Sequence, residues 1–200
     1  MSHYDEVYKT KEYYWGTLPS EMCYKILRYV PPINKPKILD IGCGEGKDSV
    51  FLAKCGYDVD SFDITSSGIN KLKALAKKND VSINAFVSDL MLYEPTKQYD
   101  VAYCSGALHY IEPTLVKTVM EKYKSCVKKN GIVALNVFVK KPFIEPAPEK
   151  EVACLWESGR LLSFFSDWLV EEFSEIIINC NSSNIMHKHA LNYLYARNLI

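Results

Sequence analysis

Ile38-Leu39-Asp40-Ile41-Gly42-Cys43-Gly44-Glu45-Gly46 reads as a buried strand running straight into a turn with glycine at every second position. Glycine there lets the backbone take positive φ and approach a ligand closely. Lys47 to Lys54 follows as a helix, with Gly56 placed to cap its C-terminus. Strand, glycine turn and helix together make a nucleotide-binding corner. The spacing narrows the ligand. A dinucleotide fingerprint is G-x-G-x-x-G, and its third glycine would fall on Lys47. Even spacing suits a ligand without a pyrophosphate.

Working outward, Tyr57 to Asp63 alternates like a second strand and ends in an acid. A carboxylate at that tip can accept hydrogen bonds from both hydroxyls of a ribose. Thr65-Ser66-Ser67 offers N-caps for a helix whose Ile69, Leu72, Leu75 and Ala76 recur at helical spacing. A third strand, Ser82 to Val87, runs into Ser88-Asp89-Leu90.

Asp40 through Gly46 resembles motif I of the class I S-adenosylmethionine-dependent methyltransferases, D/E-x-G-x-G-x-G, at every fixed position. The resemblance implies S-adenosylmethionine as cofactor, with S-adenosylhomocysteine as product. It also implies that Asp89 accepts from the adenine amino group. Asp40, Gly42, Cys43, Gly44, Gly46, Asp63, Ile64, Asp89, Leu90 and Ser105 are the candidate cofactor residues.

The rest of the chain continues a β/α alternation. Asp100 to Cys104 reads as a fourth strand, followed by Ser105-Gly106-Ala107-Leu108-His109-Tyr110. A helix is expected from Thr114 to Lys129, buried through Leu115, Val119, Met120, Tyr123 and Val127. Ile132 to Val139 is an apolar fifth strand of the kind covered on both faces. Pro142 to Pro148 looks like a loop into an irregular insertion. Leu161 to Trp168 then reads as a helix, and Glu171 to Asn179 and His187 to Arg197 as antiparallel strands around the turn 181–184. The expected fold class is α/β: a doubly wound, seven-stranded, mostly parallel sheet with a reversed last strand and helices on both faces. One domain spans 1–200, with residues 1–30 as a helical lid and 140–170 as an insertion near the acceptor pocket. The reversed strand starts at the edge that carries ligands in open α/β sheets, which brings His187 and His189 to the site rim.

Leu39 to Ser49, Gly56 to Val59 and Ala196-Arg197 together resemble the tellurite-resistance (TehB-like) branch of these methyltransferases. The resemblance implies acceptors such as tellurium and selenium oxyanions, and a His/Arg pair before the last strand; His187, His189 and Arg197 are the nearest residues. In such relatives the N-terminal segment folds over the cofactor. That makes Tyr4, Tyr8, Tyr13, Tyr14 and Trp15 a candidate lid, with Tyr14 and Trp15 placed at the cofactor; their rings can face a sulfonium through their π surfaces. Trp156, Phe164, Phe165 and Trp168 raise the same question for the acceptor pocket.

Composition excludes other classes. Lys plus Arg and Asp plus Glu number 24 each, so the basic footprint of a nucleic-acid binder is missing. The lysine groups Lys71, Lys73, Lys77, Lys78 and Lys122, Lys124, Lys128, Lys129, on predicted helices, suit solvated faces. The fourth strand does not end in the N/D-P-P-Y/F motif of amino-group methylases, and no Pro-Cys supplies the thiol of cytosine C5 methylation. A small-molecule acceptor is therefore expected, without nucleic acid or membrane as partner; oligomeric state stays open. The seven cysteines form no C-x-x-C pair, which argues against a metal site and a disulfide framework. No signal-like or membrane-length apolar run appears, and the expected home is the cytoplasm.

The expected reaction is an in-line displacement of the sulfonium methyl, with the protein supplying alignment and desolvation. Well-oriented reactants can recover roughly 7–11 kcal/mol of a barrier. If the acceptor must first lose a proton, His109, His187, His189 and Tyr110 are the candidate bases. Two other readings are a cofactor-binding regulatory module without turnover and a nicotinamide-dependent oxidoreductase.

Overall fold

A computed structural model describes residues 3–145, 155–180 and 186–200. Seven strands form one sheet in the order β3-β2-β1-β4-β5-β7-β6. In chain order the elements are α1 (His3–Val7), α2 (Glu21–Tyr29), β1 (Lys37–Ile41), α3 (Lys47–Lys54), β2 (Asp58–Asp63), α4 (Ser66–Lys78), β3 (Asn84–Val87) and β4 (Tyr99–Cys104). A single 3-10 turn at Leu108–Tyr110 precedes α5 (Val116–Ser125), β5 (Val127–Val139), α6 (Arg160–Ser163), β6 (Leu169–Cys180) and β7 (His187–Arg197). Strands β1 to β5 pair in parallel, and β7 lies antiparallel between β5 and β6. The expected doubly wound sheet with its reversed last strand is what the chain builds. The strand order reverses at β1 and β4, and the crevice beyond their carboxyl ends is where such sheets hold ligands.

Each face of the sheet carries its own helical layer. On one, α2 and α3 cover Ile38, Val59, Val101, Ile132 and Tyr195 with Met22, Cys23, Ile26 and Leu52. On the other, Val116, Val119, Met120 and Tyr123 of α5 pack on Leu39, Ala102, Val133 and Leu135. Burying one such side chain is worth about 1.5–3 kcal/mol. The strongly amphipathic α2 thus belongs to the sheet cover. The expected lid over 1–30 is accordingly shorter: α1 and the turns that follow it, up to about Gly16, lie over the carboxyl edge.

Two other expectations change. Helix α5 stops at Ser125 instead of Lys129, because Val127 pairs with Tyr99 and starts β5. Leu115 is then the exposed N-cap and not a core residue. Trp156, Phe165 and Trp168 are core, not pocket wall, and Phe164 packs part-buried against them. Trp156 bridges to Val139 and is fully buried, with Leu161, Phe165 and Trp168 beside it against α5. None of the three rings lines the cavity described below. The segment 146–154 lies outside the described residues, as does the expected turn at 181–184.

The Gly46 position is sterically closed. It caps α3 at φ 85°, and a Cβ there would lie 2.3 Å from Leu72 Cγ. Gly159 has a similar φ of 79° with nothing within 4 Å. Both Gly→Ala changes should cost the left-handed strain of about 1–3 kcal/mol. Gly46→Ala should cost distinctly more, read as a larger drop in urea midpoint. Trp156→Ala should cost about 3–5 kcal/mol. Trp156→Phe should lose much less, since it deletes an indole N–H buried without a partner. Equal midpoints for the two tryptophan variants would show that the ring is not packed as described.

Candidate active site

The glycine turn hangs from the end of β2. The N–H groups of Gly42 and Cys43 both donate to the Phe62 carbonyl at 2.9 Å, and Gly44 N–H donates to Asp63 Oδ2 at 2.9 Å. Asp63 Oδ1 accepts from the N–H and hydroxyl of Thr65, at 2.9 and 2.6 Å, and so fixes the entry to α4. Gly42 sits at φ 71°, and a Cβ there would lie 2.4 Å from Ala107 Cβ. The three acids of the sequence stand at the ends of adjacent strands β1, β2 and β3. Asp40, Asp63 and Asp89 line one cavity of about 450 Å³, within the usual size of small-ligand sites.

Gly42, Cys43, Gly44, Ile64, Leu90, Ser105, Trp15 and His109 line the same cavity. Gly46 does not; its part is the turn into α3. Tyr14 also stands outside, half exposed and edge-on to Trp15 with centroids 4.7 Å apart. Tyr8 and Tyr4 take the place expected for it. The Tyr8 hydroxyl accepts from Trp15 Nε1 at 2.9 Å and would lie 3.1 Å from a Cβ on Gly44. Tyr4 meets Tyr110 hydroxyl to hydroxyl at 3.0 Å across the mouth.

Polar ties hold this segment down. Asp5 accepts from the N–H and hydroxyl of Ser67, at 3.2 and 2.8 Å. Glu45 is buried, accepts from Trp15 N–H at 3.2 Å and pairs with Lys71 at 2.7 Å. Lys71 also donates to the Glu12 carbonyl at 2.6 Å. Glu45 occupies a variable position of the glycine turn, so no spacing rule singles it out.

The far end of the cavity is walled by Gly106, Ala107, Tyr110, Asn136, Phe138, Ile178, Leu191 and Tyr193. Asn136 was missed in the sequence, although a polar residue inside the apolar run 132–139 is a signal. Its Oδ1 accepts from Gly106 N–H at 2.7 Å and shapes the turn after β4. The catalytic candidates divide. His109 is in the wall, its ring tilted at 37° against Phe138 with centroids 4.4 Å apart. His187 and His189 lie beyond the cavity lining, at the start of β7, with His189 on the Phe138 ring. Arg197 is far from both: it ends β7, ~27 Å along the strand from His189. There it binds Glu171 at 2.5 Å and the Asn130 and Tyr29 carbonyls. It is a structural clamp and not part of the site.

Burial sets the protonation states. It raises Asp40 to about 7, opposed by a hydrogen bond from Ser49 Oγ at 2.5 Å. It lowers His109 to about 3, so the imidazole is neutral at physiological pH and a weak base. The His109 Nδ1 is buried with no hydrogen-bond partner. Such atoms call for one, and a bound acceptor can supply it. Burial also holds the Cys43 and Cys104 thiols in the protonated form, as expected for apolar fillers and not for nucleophiles.

Comparison with known proteins agrees with this geometry. Over 122 residues the chain is 33% identical to a ubiquinone biosynthesis O-methyltransferase of Rickettsia canadensis, covering 60% of this chain and 51% of the relative. It is 24% identical over 144 residues to the probable S-adenosyl-L-methionine-dependent methyltransferase TehB of Haemophilus influenzae, covering 72% of this chain and 49% of the relative. The chain thus spans about half the length of these curated relatives. The crystal structure of TehB from Haemophilus influenzae superposes with a TM-score of 0.80 at 20% identity, covering 98% of this chain and 66% of that one. Residues 1–186 match the family described as tellurite resistance protein TehB, and the chain belongs to that family.

Proposed function

We propose that this protein transfers the methyl group of S-adenosylmethionine to a small, soft acceptor, a thiol or a reduced selenium or tellurium species. The observation that carries the reading is the convergence of Asp40, Asp63 and Asp89 with the glycine turn on one cavity. That donor set fits the cofactor. Asp63 can accept from ribose hydroxyls and Asp89 from an adenine amino group, while Ile64 and Leu90 offer apolar flanks. The tail would lie along Gly42 to Gly44 under Tyr8. When bound, S-adenosylmethionine supplies a methyl group already activated by its sulfonium.

The chain's own residues then align, desolvate and screen. Tyr4, Tyr8, Trp15 and Tyr110 close the mouth, and Phe138, Leu191 and Ile178 keep the far end dry. Among the described residues that wall the far end there is no lysine or arginine. A doubly charged oxyanion finds no counter-ion there, whereas a thiolate or hydroselenide carries a single, diffuse negative charge that the sulfonium itself faces. This argues for the soft acceptor over the oxyanion suggested by the family's description. A thiol close to its pKa reaches the nucleophilic state by losing its proton to solvent, so neutral His109 serves as a hydrogen-bond donor to the thiolate through its ring N–H rather than as a base. Among the described residues no helix is long and apolar enough to cross a membrane, and none of the described cysteines forms a disulfide. With the neutral charge balance, these features support a reducing cytoplasmic setting and a small-molecule partner over nucleic acid.

Calorimetry with S-adenosylmethionine and S-adenosylhomocysteine, with NAD as control, tests the site. Two ribose hydroxyls on a carboxylate are worth about 1.5–3 kcal/mol each. Asp63→Ala should therefore weaken both sulfur ligands at least about 100-fold, while thermal melting confirms that the variant is folded. Binding of NAD alone would overturn the assignment. Release of S-adenosylhomocysteine with a panel of thiols, selenide and tellurite then tests transfer, and tight binding with no turnover for any acceptor would leave a regulatory module.

Asp40 gives a pH signature. Its folded pKa of about 7 lies above the ordinary 3.8, so the folded state holds the extra proton between those values. Stability from this group is full below about pH 4 and is lost as pH rises through about 7. Affinity for the cationic cofactor should run the opposite way and strengthen through the same window as the carboxylate ionises. Asp40→Asn should flatten both trends; calorimetry and melting across that range would show it.

A further inference from the structure

The hairpin of β6 and β7 assembles a set of ligand atoms outside the cavity. Cys180 and His187 are direct partners in its register, and Ile178 faces His189. Side chains two apart on a strand share a face, so Cys180, His187 and His189 project from one side of the hairpin. One ligand atom from each lies within 4.8 Å of the others. The two Nε2 atoms are 2.9 Å apart, with the rings nearly perpendicular at 88°.

We propose that Cys180, His187 and His189 form a binding site for a single zinc-class divalent ion. One thiolate and two imidazoles form the soft, mixed donor set that zinc prefers. Tetrahedral zinc with its usual bond lengths needs such atoms roughly 3.3–3.6 Å apart. The spacing seen, 2.9 Å between the two Nε2 atoms and all three ligand atoms within 4.8 Å, brackets that range. A neutral imidazole pair can reach the same nitrogen contact through one N–H···N bond, but that bond does not account for a cysteine on the same face, across the ladder from His187. His189 is buried and lies parallel to Phe138, interplanar angle 19°, centroids 4.4 Å apart. The stack fixes the plane of the ring and so the direction of its ligand nitrogen. Three protein ligands leave a fourth position for water or a thiol, as in zinc sites that exchange a ligand. The spacing C-x6-H-x-H resembles no compact zinc motif, because the strand register, not the sequence, brings the residues together. The site stands on this geometry alone and does not depend on the methyl-transfer reading.

The test uses the full chain, stripped with a chelator and titrated with Co2+ and then Zn2+. One cobalt per chain is expected, with a thiolate-to-cobalt charge-transfer band and intense visible absorption of tetrahedral form, both displaced by zinc. Cys180→Ser should abolish the charge-transfer band, and His187→Ala should weaken binding beyond the roughly 10–100-fold that loss of a supporting group costs. Cys55→Ser, on the partly exposed end of α3, should change neither. An unchanged cooperative thermal melting transition in each variant shows that the chain is folded, whether or not S-adenosylhomocysteine binds, and so separates this result from the cofactor assignment. Absorption-edge spectroscopy of the zinc-loaded wild type should give one sulfur and two imidazoles in the shell. A shell of oxygens, a charge-transfer band that survives Cys180→Ser, or no stoichiometric binding would overturn the site and leave a histidine–histidine hydrogen bond.

Discussion

The hydrogen bond from Gly44 to Asp63 is the tie on which the site depends. It joins the turn after β1 to the end of β2, and the Phe62 carbonyl doubles the join by accepting from Gly42 and Cys43. A turn held that tightly has no room for side chains, which is why Gly42 and Gly46 meet Ala107 and Leu72 where a Cβ would go. The same carboxylate holds Thr65 and so sets where α4 begins. From α4 come Ser67 and Lys71, two of the anchors of the N-terminal segment. One acid therefore couples two strand ends, a helix start and the cover of the cavity.

Titratable groups in that cavity show how burial is managed. An isolated buried charge is expensive, and proteins answer by shifting the pKa. Asp40, the more deeply buried of two neighbouring acids, has the Ser49 hydroxyl and the Lys47 charge against its desolvation and still rises; Asp60, outside the cavity and less enclosed, is held below the ordinary range. Desolvation pushes Asp60 upward, but hydrogen bonds from Lys97, Asn84 and Tyr99 outweigh it. The two acids share a sheet but face different neighbours, and one is thereby left sensitive near neutrality. His109 follows the same rule with the opposite sign. Its neutral ring lets the far wall stay apolar, which strengthens any charge interaction made inside.

Legibility in the sequence follows how local each signal is. The glycine turn, the strand-end acids and the β/α alternation are short-range patterns, and each appears where it was read. The reversed β7 was legible because 181–184 is too short for a crossover. Errors fall where tertiary pairing overrides periodicity. Val127 continues the helical stripe of α5, yet the ladder with Tyr99 claims it. Tyr8 and Tyr14 are equivalent in composition, and only the path of an aperiodic segment puts Tyr8 on Gly44 and turns Tyr14 outward. Trp156 and Phe165 read equally well as pocket or core, because aromaticity does not say which side of a layer a ring faces.

The lid illustrates how that path can work as a device. Segment 3–16 buries little of its own apolar surface beyond Tyr8 and is held mainly by polar contacts: Asp5 with Ser67, Trp15 with Glu45, Lys71 with Glu12, Tyr4 with Tyr110. Each is worth a net value of about 0.5–1.5 kcal/mol, as is the bond from the Tyr13 hydroxyl to the Lys71 carbonyl. That is far less than the cost of disturbing α2, whose Met22, Cys23 and Ile26 are buried in the sheet cover. The boundary between the two lies near Ser20, where the N–H donates to Asp48 at 2.7 Å and the hydroxyl meets Tyr103 at 2.7 Å. C-terminal to that clasp the chain is packed into the sheet cover, whereas the segment before it is tied over the cavity mouth chiefly by polar contacts.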